Sequence, residues 1–257
     1  MSSELAFDRR MDPNRITLRE TFLQRPALNA VMAWPTPYAA ASAQAIAVAN
    51  RNFEVSGSNM TTALCTFNAA GGGITLTTAG GGTDEAMLGA HSDTNQSAFK
   101  NIEWDTTYEP SFEAKIKLHS DLTQCSLVCG FKLTGTSVVA TDNDQAMFAF
   151  TNTTAITPWT FVHSRAGTDT TESLDPFHFA KPVVSTIYRL RIDVLSDRTV
   201  VASIGVGNGG ALKPITSYPL PALTADVNLL PFIGVLESEA EAKAVTVYYV
   251  ECGRKIA

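Results

Sequence analysis

The stretch Phe112-Glu-Ala-Lys-Ile-Lys-Leu118-His119 changes character at every step, with Phe112, Ala114, Ile116 and Leu118 set against Glu113, Lys115, Lys117 and His119. In an extended chain successive side chains point to opposite faces, so a period of two predicts a strand with one face in a core and one in water. Tyr188, Leu190, Ile192 and Val194 repeat the pattern against Arg189, Arg191 and Asp193. Further strands are predicted at 125–133, 145–151, 158–164, 199–206, 230–236 and 244–251. Turn clusters separate them, among them Gly80-Gly-Gly-Thr-Asp84, Thr141-Asp-Asn-Asp144 and Gly207-Asn-Gly-Gly210. Many short strands with no helical pattern between them predict an all-β, antiparallel sandwich or barrel over residues 53–257.

Residues 1–52 read differently, as an N-terminal arm that is partly helical and partly extended. Thr17-Leu-Arg-Glu20 has capping-box spacing for a short helix ending before Pro26. Trp34-Pro-Thr-Pro37-Tyr38 favours an extended path, and the Ala-rich run from Ala39 to Asn50 has good helix propensity. The arm carries Phe22, Leu23, Leu28, Val31, Trp34 and Tyr38, more apolar surface than it buries on itself. It either packs on the following domain or docks on a neighbouring subunit.

Composition narrows the function. Of 257 residues only 17% are charged, and 19 Lys plus Arg against 25 Asp plus Glu leave a formal charge of −6. That balance argues against nucleic acid held by phosphate neutralisation and against a polybasic membrane binder. No run approaches the roughly 18 apolar residues of a membrane span, and the polar start Met1 to Asn14 is unlike a signal peptide. A soluble product of the cytoplasm is therefore expected, one whose low charge suits a surface that partly faces other protein. The spacing of Cys125 and Cys129 invites a metal, but on a strand it spans roughly 13 Å, too far for a shared zinc or a disulfide. Buried thiols are expected, with a bridge from either to Cys65 or Cys252 left open.

Catalytic templates mostly fail on residue type. There is no Gly-x-Ser-x-Gly elbow and no phosphate-binding loop of the Gly-x4-Gly-Lys kind. The triplets Gly71–Gly73 and Gly80–Gly82 precede no helical pattern and read as turns. His91-Ser92-Asp93 has triad residue types, but adjacent side chains on an extended chain point apart. His119, His163 and His178 share no metal spacing. Glu237, Glu239 and Glu241 would face one way on a strand at roughly 7 Å intervals, as glycoside hydrolysis wants, yet Lys243 follows and a solvated turn is the better reading. Asp142-Asn143-Asp144 lacks the remaining ligands of a calcium loop and reads as a turn. Trp104, Tyr108 and Trp159 are stacking candidates for a sugar, though single aromatics in a sandwich usually belong to the core. No cofactor is expected.

Several segments together resemble a group of tailed-bacteriophage structural proteins. They are Phe53-Glu-Val-Ser-Gly57, Gly73-Ile-Thr-Leu76, Cys129 to Thr136, Val138 to Gln145, Met147-Phe-Ala-Phe150, Trp159, Ala166 to Glu172, Tyr188 to Ile192, Leu230 to Val235 and Ala242 to Tyr248. The resemblance spans roughly 53–250 and departs from the group's pattern at 199–206. It implies a concanavalin A-like jelly roll and a virion component without enzymatic activity. The function expected on this basis is a decoration or cement protein on the capsid surface. It would bind the major capsid protein, form a homotrimer, and make no contact with nucleic acid or membrane. Phe22, Leu23, Trp34 and Tyr38 are the expected arm anchors, since aromatic and apolar side chains dominate interface energies. The alternative is a carbohydrate-binding adhesin of the tail or fibre, which requires exposed Trp or Tyr on one sheet face or rim.

Overall fold

The structure is a computed structural model describing residues 13–23, 26–28, 50–68, 71–90, 102–135, 137–138, 140–152, 156–173, 181–217 and 222–256. Its strands are β1 (Arg15–Glu20), β2 (Pro26–Leu28), β3 (Asn50–Ser56), β4 (Cys65–Phe67), β5 (Ile74–Thr77), β6 (Glu85–Ala90), β7 (Trp104–Asp105), β8 (Ser111–Leu118) and β9 (Cys125–Lys132). They continue with β10 (Gln145–Phe150), β11 (Thr160–Arg165), β12 (Thr168–Ser173), β13 (Ile187–Val194), β14 (Val200–Val206), β15 (Lys213–Ser217), β16 (Asn228–Glu237) and β17 (Ala244–Lys255). Two sheets form the sandwich. The first runs β15-β14-β13-β8-β17-β5-β4, with β1 also on β17, and the second runs β12-β11-β10-β9-β16-β6-β3-β2, with β7 also on β16. Pairing is antiparallel except between β2 and β3. The chain is an all-β jelly-roll sandwich.

The alternation read in the sequence is what builds the core. Phe112, Ala114, Ile116 and Leu118 point inward from β8, and Tyr188, Leu190, Ile192 and Val194 from β13; all are buried. Cys125, Leu127, Cys129 and Phe131 do the same from β9 of the opposite sheet. Edge-on ring contacts tie the layers together, Phe112 to Phe131 at 5.5 Å and Trp159 to Phe150 and Tyr188 at 5.1 and 5.3 Å. Such pairs add ~1 kcal/mol to the burial of their area. Trp104 and Trp159 are core residues, which removes them as sugar platforms. Cys125, Cys129 and Cys252 are buried thiols and Cys65 is buried too. Burial pushes the Cys125 thiol up to about 12 and the thiols of Cys129 and Cys252 also upward.

The segment from Arg15 to Glu20 is strand β1, which corrects the helix expected from Thr17 and Glu20. The reason lies in β17. Strand β5 covers only Ala244 to Val247 of its edge, and β1 fills the remainder, from Val250 to Lys255. Closing an exposed row of backbone donors and acceptors outweighs a local capping signal. The Glu20 carboxylate accepts from the Phe22 amide at 2.6 Å and from Asn52 Nδ2 of β3 at 2.8 Å, so it joins the two sheets at one edge. Strands β1 and β2 thus place part of residues 1–52 within the sandwich. Trp34, Pro35, Pro37, Tyr38 and the Ala-rich run up to residue 49 lie outside the described residues.

Candidate functional site

The outward faces of the two sheets are built differently. On the second sheet, Met87 of β6, Val128 of β9, Met147 of β10 and Phe232 of β16 form a second apolar cluster, which Val138 of the β9–β10 loop covers. Gly234 makes room, because a Cβ there would come within 2.6 Å of the Val138 side chain. The loop is fastened at several points. Lys132 Nζ donates to the carbonyls of Ser137 and Ala140 at 3.0 and 2.9 Å and lies 4.9 Å over the Phe232 ring. Glu85 accepts from Ser137 Oγ and the Val138 amide, and Asp142 accepts from the Thr134 amide and hydroxyl. Burial outweighs the attraction of Asp142 and Glu85 and pushes Lys132 down to about 8.

On the first sheet the outward side chains come in rows fixed by register. Arg189, Lys115 and Tyr249 stand side by side across β13, β8 and β17. The next row holds Arg191, Glu113, Glu251 and Arg19, continuing onto β1. A bulge between Val247 and Tyr249 interrupts the β17–β8 pairing. Before it Val245 and Val247 point inward; after it Val250 and Cys252 do, so Tyr248 and Tyr249 both face outward. Bulges commonly re-aim side chains in this way beside functional sites.

Beside the two tyrosines lies an open groove of about 460 Å³, lined by Arg19, Leu23, Phe67, Asn68, Lys115, Tyr248 and Tyr249 together with Thr21, Phe22 and Gly71–Gly73. The β4–β5 turn forms one wall. Gly73 has φ +81°, and a Cβ there would come within 2.2 Å of the Val247 carbonyl, while one on Gly71 would come within 3.1 Å of the Tyr248 ring. This triplet is a turn, as its sequence context indicated, and glycine lets it close against the bulge. Lys115 Nζ sits 5.2 Å over the Tyr248 ring and bonds Asn208 Oδ1 at 2.6 Å, and Arg19 stacks 3.9 Å over Tyr249.

Glu113 and Glu251 face each other across β8 and β17, a spacing that invites comparison with a glycosidase pair. Both are compensated. Glu113 meets Arg189 at 2.8 Å, Arg191 at 3.4 Å and the Tyr249 hydroxyl at 2.5 Å, while Glu251 meets Arg19 at 3.6 Å. Burial works to raise the Glu113 carboxyl, but the hydrogen bonds from Tyr249 and Arg189 outweigh it and hold the group below its ordinary value. For Tyr249 burial acts first and the bond to Glu113 adds to it, which pushes the phenol up to about 12. Neither group is poised for proton transfer near neutral pH.

The acidic run resolves into two parts. Glu237, expected in a solvated turn, is fully buried at the end of β16, which corrects that reading. Its carboxylate accepts from Thr78 Oγ1 and from the amides of Gly80 and Gly82, the latter two at 3.2 and 2.9 Å. The second glycine triplet therefore cradles the buried side chain of Glu237. Glu239 and Glu241 do lie in the turn, and with Asp121 they bring carboxylate oxygens within 4.8 Å of one another, close enough to hold a metal. The cation they surround is Lys243, whose side chain is 1% exposed and whose Nζ lies 2.7, 2.8 and 3.5 Å from Asp121, Glu239 and Glu241. The hydrogen bond from Lys243 holds the Asp121 carboxyl far below its usual range.

The remaining expected residues are scattered. Phe22 is 1% exposed, its ring 5.6 Å from Phe53 in the core of its own chain, while Leu23 is 88% exposed. Tyr108 lies under Arg254. Asp142 and Asp144 accept hydrogen bonds from Thr134 and Thr224 within the fold. His91, Ser92, Asp93 and His178 lie outside the described residues. Tyr248, Tyr249, Lys115 and Arg19 escaped the sequence reading. The signal for the tyrosines is the pair of adjacent aromatics in Val245-Thr-Val247-Tyr-Tyr249-Val250, which breaks the period of two. No helix among the described residues is long and apolar enough to cross a membrane.

No family model matches the sequence, and no curated protein sequence matches it. Solved structures do share the fold. A protein of unknown function from Shewanella oneidensis MR-1 superposes with a TM-score of 0.56 at 11% identity over 94% of this chain and 87% of that one. A β-1,3-glucanase from Mycobacterium marinum gives 0.50 at 11% over 91% and 97%. The alginate lyase from Klebsiella pneumoniae gives 0.47 at 11% over 74% and 83%. The fold they share with this chain is the jelly-roll, concanavalin-like sandwich, and nothing in the comparison shows a phage virion protein. The expectation, drawn from the phage resemblance, that this chain is not an enzyme is corrected: the same sandwich fold is found in a β-1,3-glucanase.

Proposed function

We propose that the protein binds carbohydrate in the groove beside Tyr248 and Tyr249, the adhesin alternative of the sequence reading, as a component of a tailed-phage particle. The carrying observation is the β17 bulge, which sets two successive tyrosines on the outward face of a sheet next to Arg19, Lys115 and Asn68. Sugar sites pair an aromatic platform with a few placed polar groups. The likeness to a glucanase fold is compatible with this but does not carry it. Titration of the full chain against a panel of oligosaccharides tests the reading. Binding that weakens by about tenfold or more in Tyr248→Ala supports it; binding indifferent to Tyr248 overturns it.

A second reading, capsid decoration, has its own observation: Leu23 is 88% exposed on the rim of the same groove, beside the half-exposed Phe67. On this reading Leu23, Trp34 and Tyr38 anchor the protein to the major capsid protein, and a homotrimer sits on the virion surface. Phe22 drops out, being part of the core. Co-sedimentation with capsids lacking the protein separates the readings. Capsid binding that Leu23→Asp abolishes supports decoration; no binding of the full chain, or binding indifferent to Leu23, overturns it.

A further inference from the structure

We infer that the groove takes an acidic oligosaccharide, one bearing carboxylate or sulfate groups, rather than a neutral one. This rests on the carbohydrate reading above and specifies its ligand. The argument begins with charge. Along β1, β8, β13 and β17 as far as Gly253, the outward positions carry six cations, Arg15, Arg19, Lys115, Lys117, Arg189 and Arg191, against the three carboxylates Glu113, Asp193 and Glu251. The excess is positive in a chain whose formal charge is −6. The cations of this face are not equally engaged. Arg189 and Arg191 are committed to Glu113 and Asp193, and Arg19 reaches Glu251 at 3.6 Å. Lys115 makes no ion pair among the described residues; its hydrogen-bond partner is the neutral side-chain amide of Asn208.

Lys115 also borders the aromatic lining, 5.2 Å over the Tyr248 ring, and stands beside Tyr249 in the register. A sugar ring packed on Tyr248 and Phe67 therefore presents its substituents to an ammonium lacking a counter-ion, with the Arg19 guanidinium, stacked over the buried Tyr249 ring, beside it. A carboxylate or sulfate there gains a charge-assisted hydrogen bond that a hydroxyl does not. The same charge makes binding salt-dependent, because the groove is open and exposed charges are screened over about 10 Å at 0.1 M salt.

Isothermal titration of the full chain tests this with three probes of matched length: an oligogalacturonate, a sulfated dextran oligosaccharide and a neutral maltohexaose. The expected result is binding of the two acidic probes, or of one if the groove discriminates carboxylate from sulfate, about tenfold or more tighter than maltohexaose. Affinity should fall by about tenfold in Lys115→Gln and in Tyr248→Ala, and fall as salt rises. Equal or tighter binding of maltohexaose overturns the acidic ligand and leaves the carbohydrate reading standing. Binding of none of the three at millimolar concentration overturns both. Acidic binding unchanged in both variants, each with unaltered thermal unfolding, overturns this groove as the site.

Discussion

The two sheets of this sandwich treat their outward faces in opposite ways. The second sheet is closed by its own chain, with Val138 seated on Met87, Val128, Met147 and Phe232 and the loop pinned by Lys132 and Glu85. The first is left open, with rows of charge, two adjacent tyrosines and a groove. The difference teaches where to look for function. A face that the chain covers at the cost of burying a lysine serves stability, whereas one bearing an uncompensated ammonium beside an aromatic surface is suited to something outside the chain.

That contrast is broken first by removing what holds the closed face. Phe232→Ala should lower unfolding free energy by about 3–5 kcal/mol, read by denaturant titration. A loss under 1 kcal/mol would show that the Val138 loop does not depend on the cluster beneath it. The Glu237 cradle comes next. Glu237→Gln turns one acceptor into an amide donor facing Thr78, Gly80 or Gly82, and should cost about 1–3 kcal/mol. Retained stability would return Glu237 to the solvated turn that its sequence neighbours implied.

Those two residues also mark how far the sequence could be read. Strands β8 and β13 were legible because each buries one face, and a slip of one residue would expose the whole apolar set; β9 shows the same alternation although its outward side is covered too. Glu237 was not, since its partners sit more than 150 positions away in a glycine turn whose amides carry no sequence signal. Strand β1 was misread because its cause, the uncovered edge of β17, exists only after folding. Tyr248 and Tyr249 were half legible; the doubled aromatic shows that alternation breaks, but not which face the pair will take.

The pH dependence sharpens the comparison, because the faces titrate with opposite sign. Lys132 on the closed face loses its proton at about 8 in the folded chain but near 10.5 when unfolded. Between those values the unfolded state binds more protons, so stability rises with pH. Tyr249 on the open face keeps its proton to about 12 when folded against 10 when unfolded, so its contribution is lost from pH 10 upward. Chemical denaturation across this range should show the rise vanish in Lys132→Met and the alkaline fall shrink in Tyr249→Phe. A rise that persists in Lys132→Met would mean that this ammonium is not desolvated. The smallest effect belongs to Tyr248→Ala. As an outward substitution beside an open groove it should change stability by within about 0.5 kcal/mol, and a larger loss would mean that Tyr248 serves the fold rather than a ligand.

Hydrogen exchange of the full chain, with and without saturating oligogalacturonate, tests most directly that the open face is the working one. The account predicts slowed exchange in the peptides carrying Phe67, Lys115 and Tyr248, with the β9–β10 loop unchanged. Protection confined to that loop, or none anywhere, would contradict it.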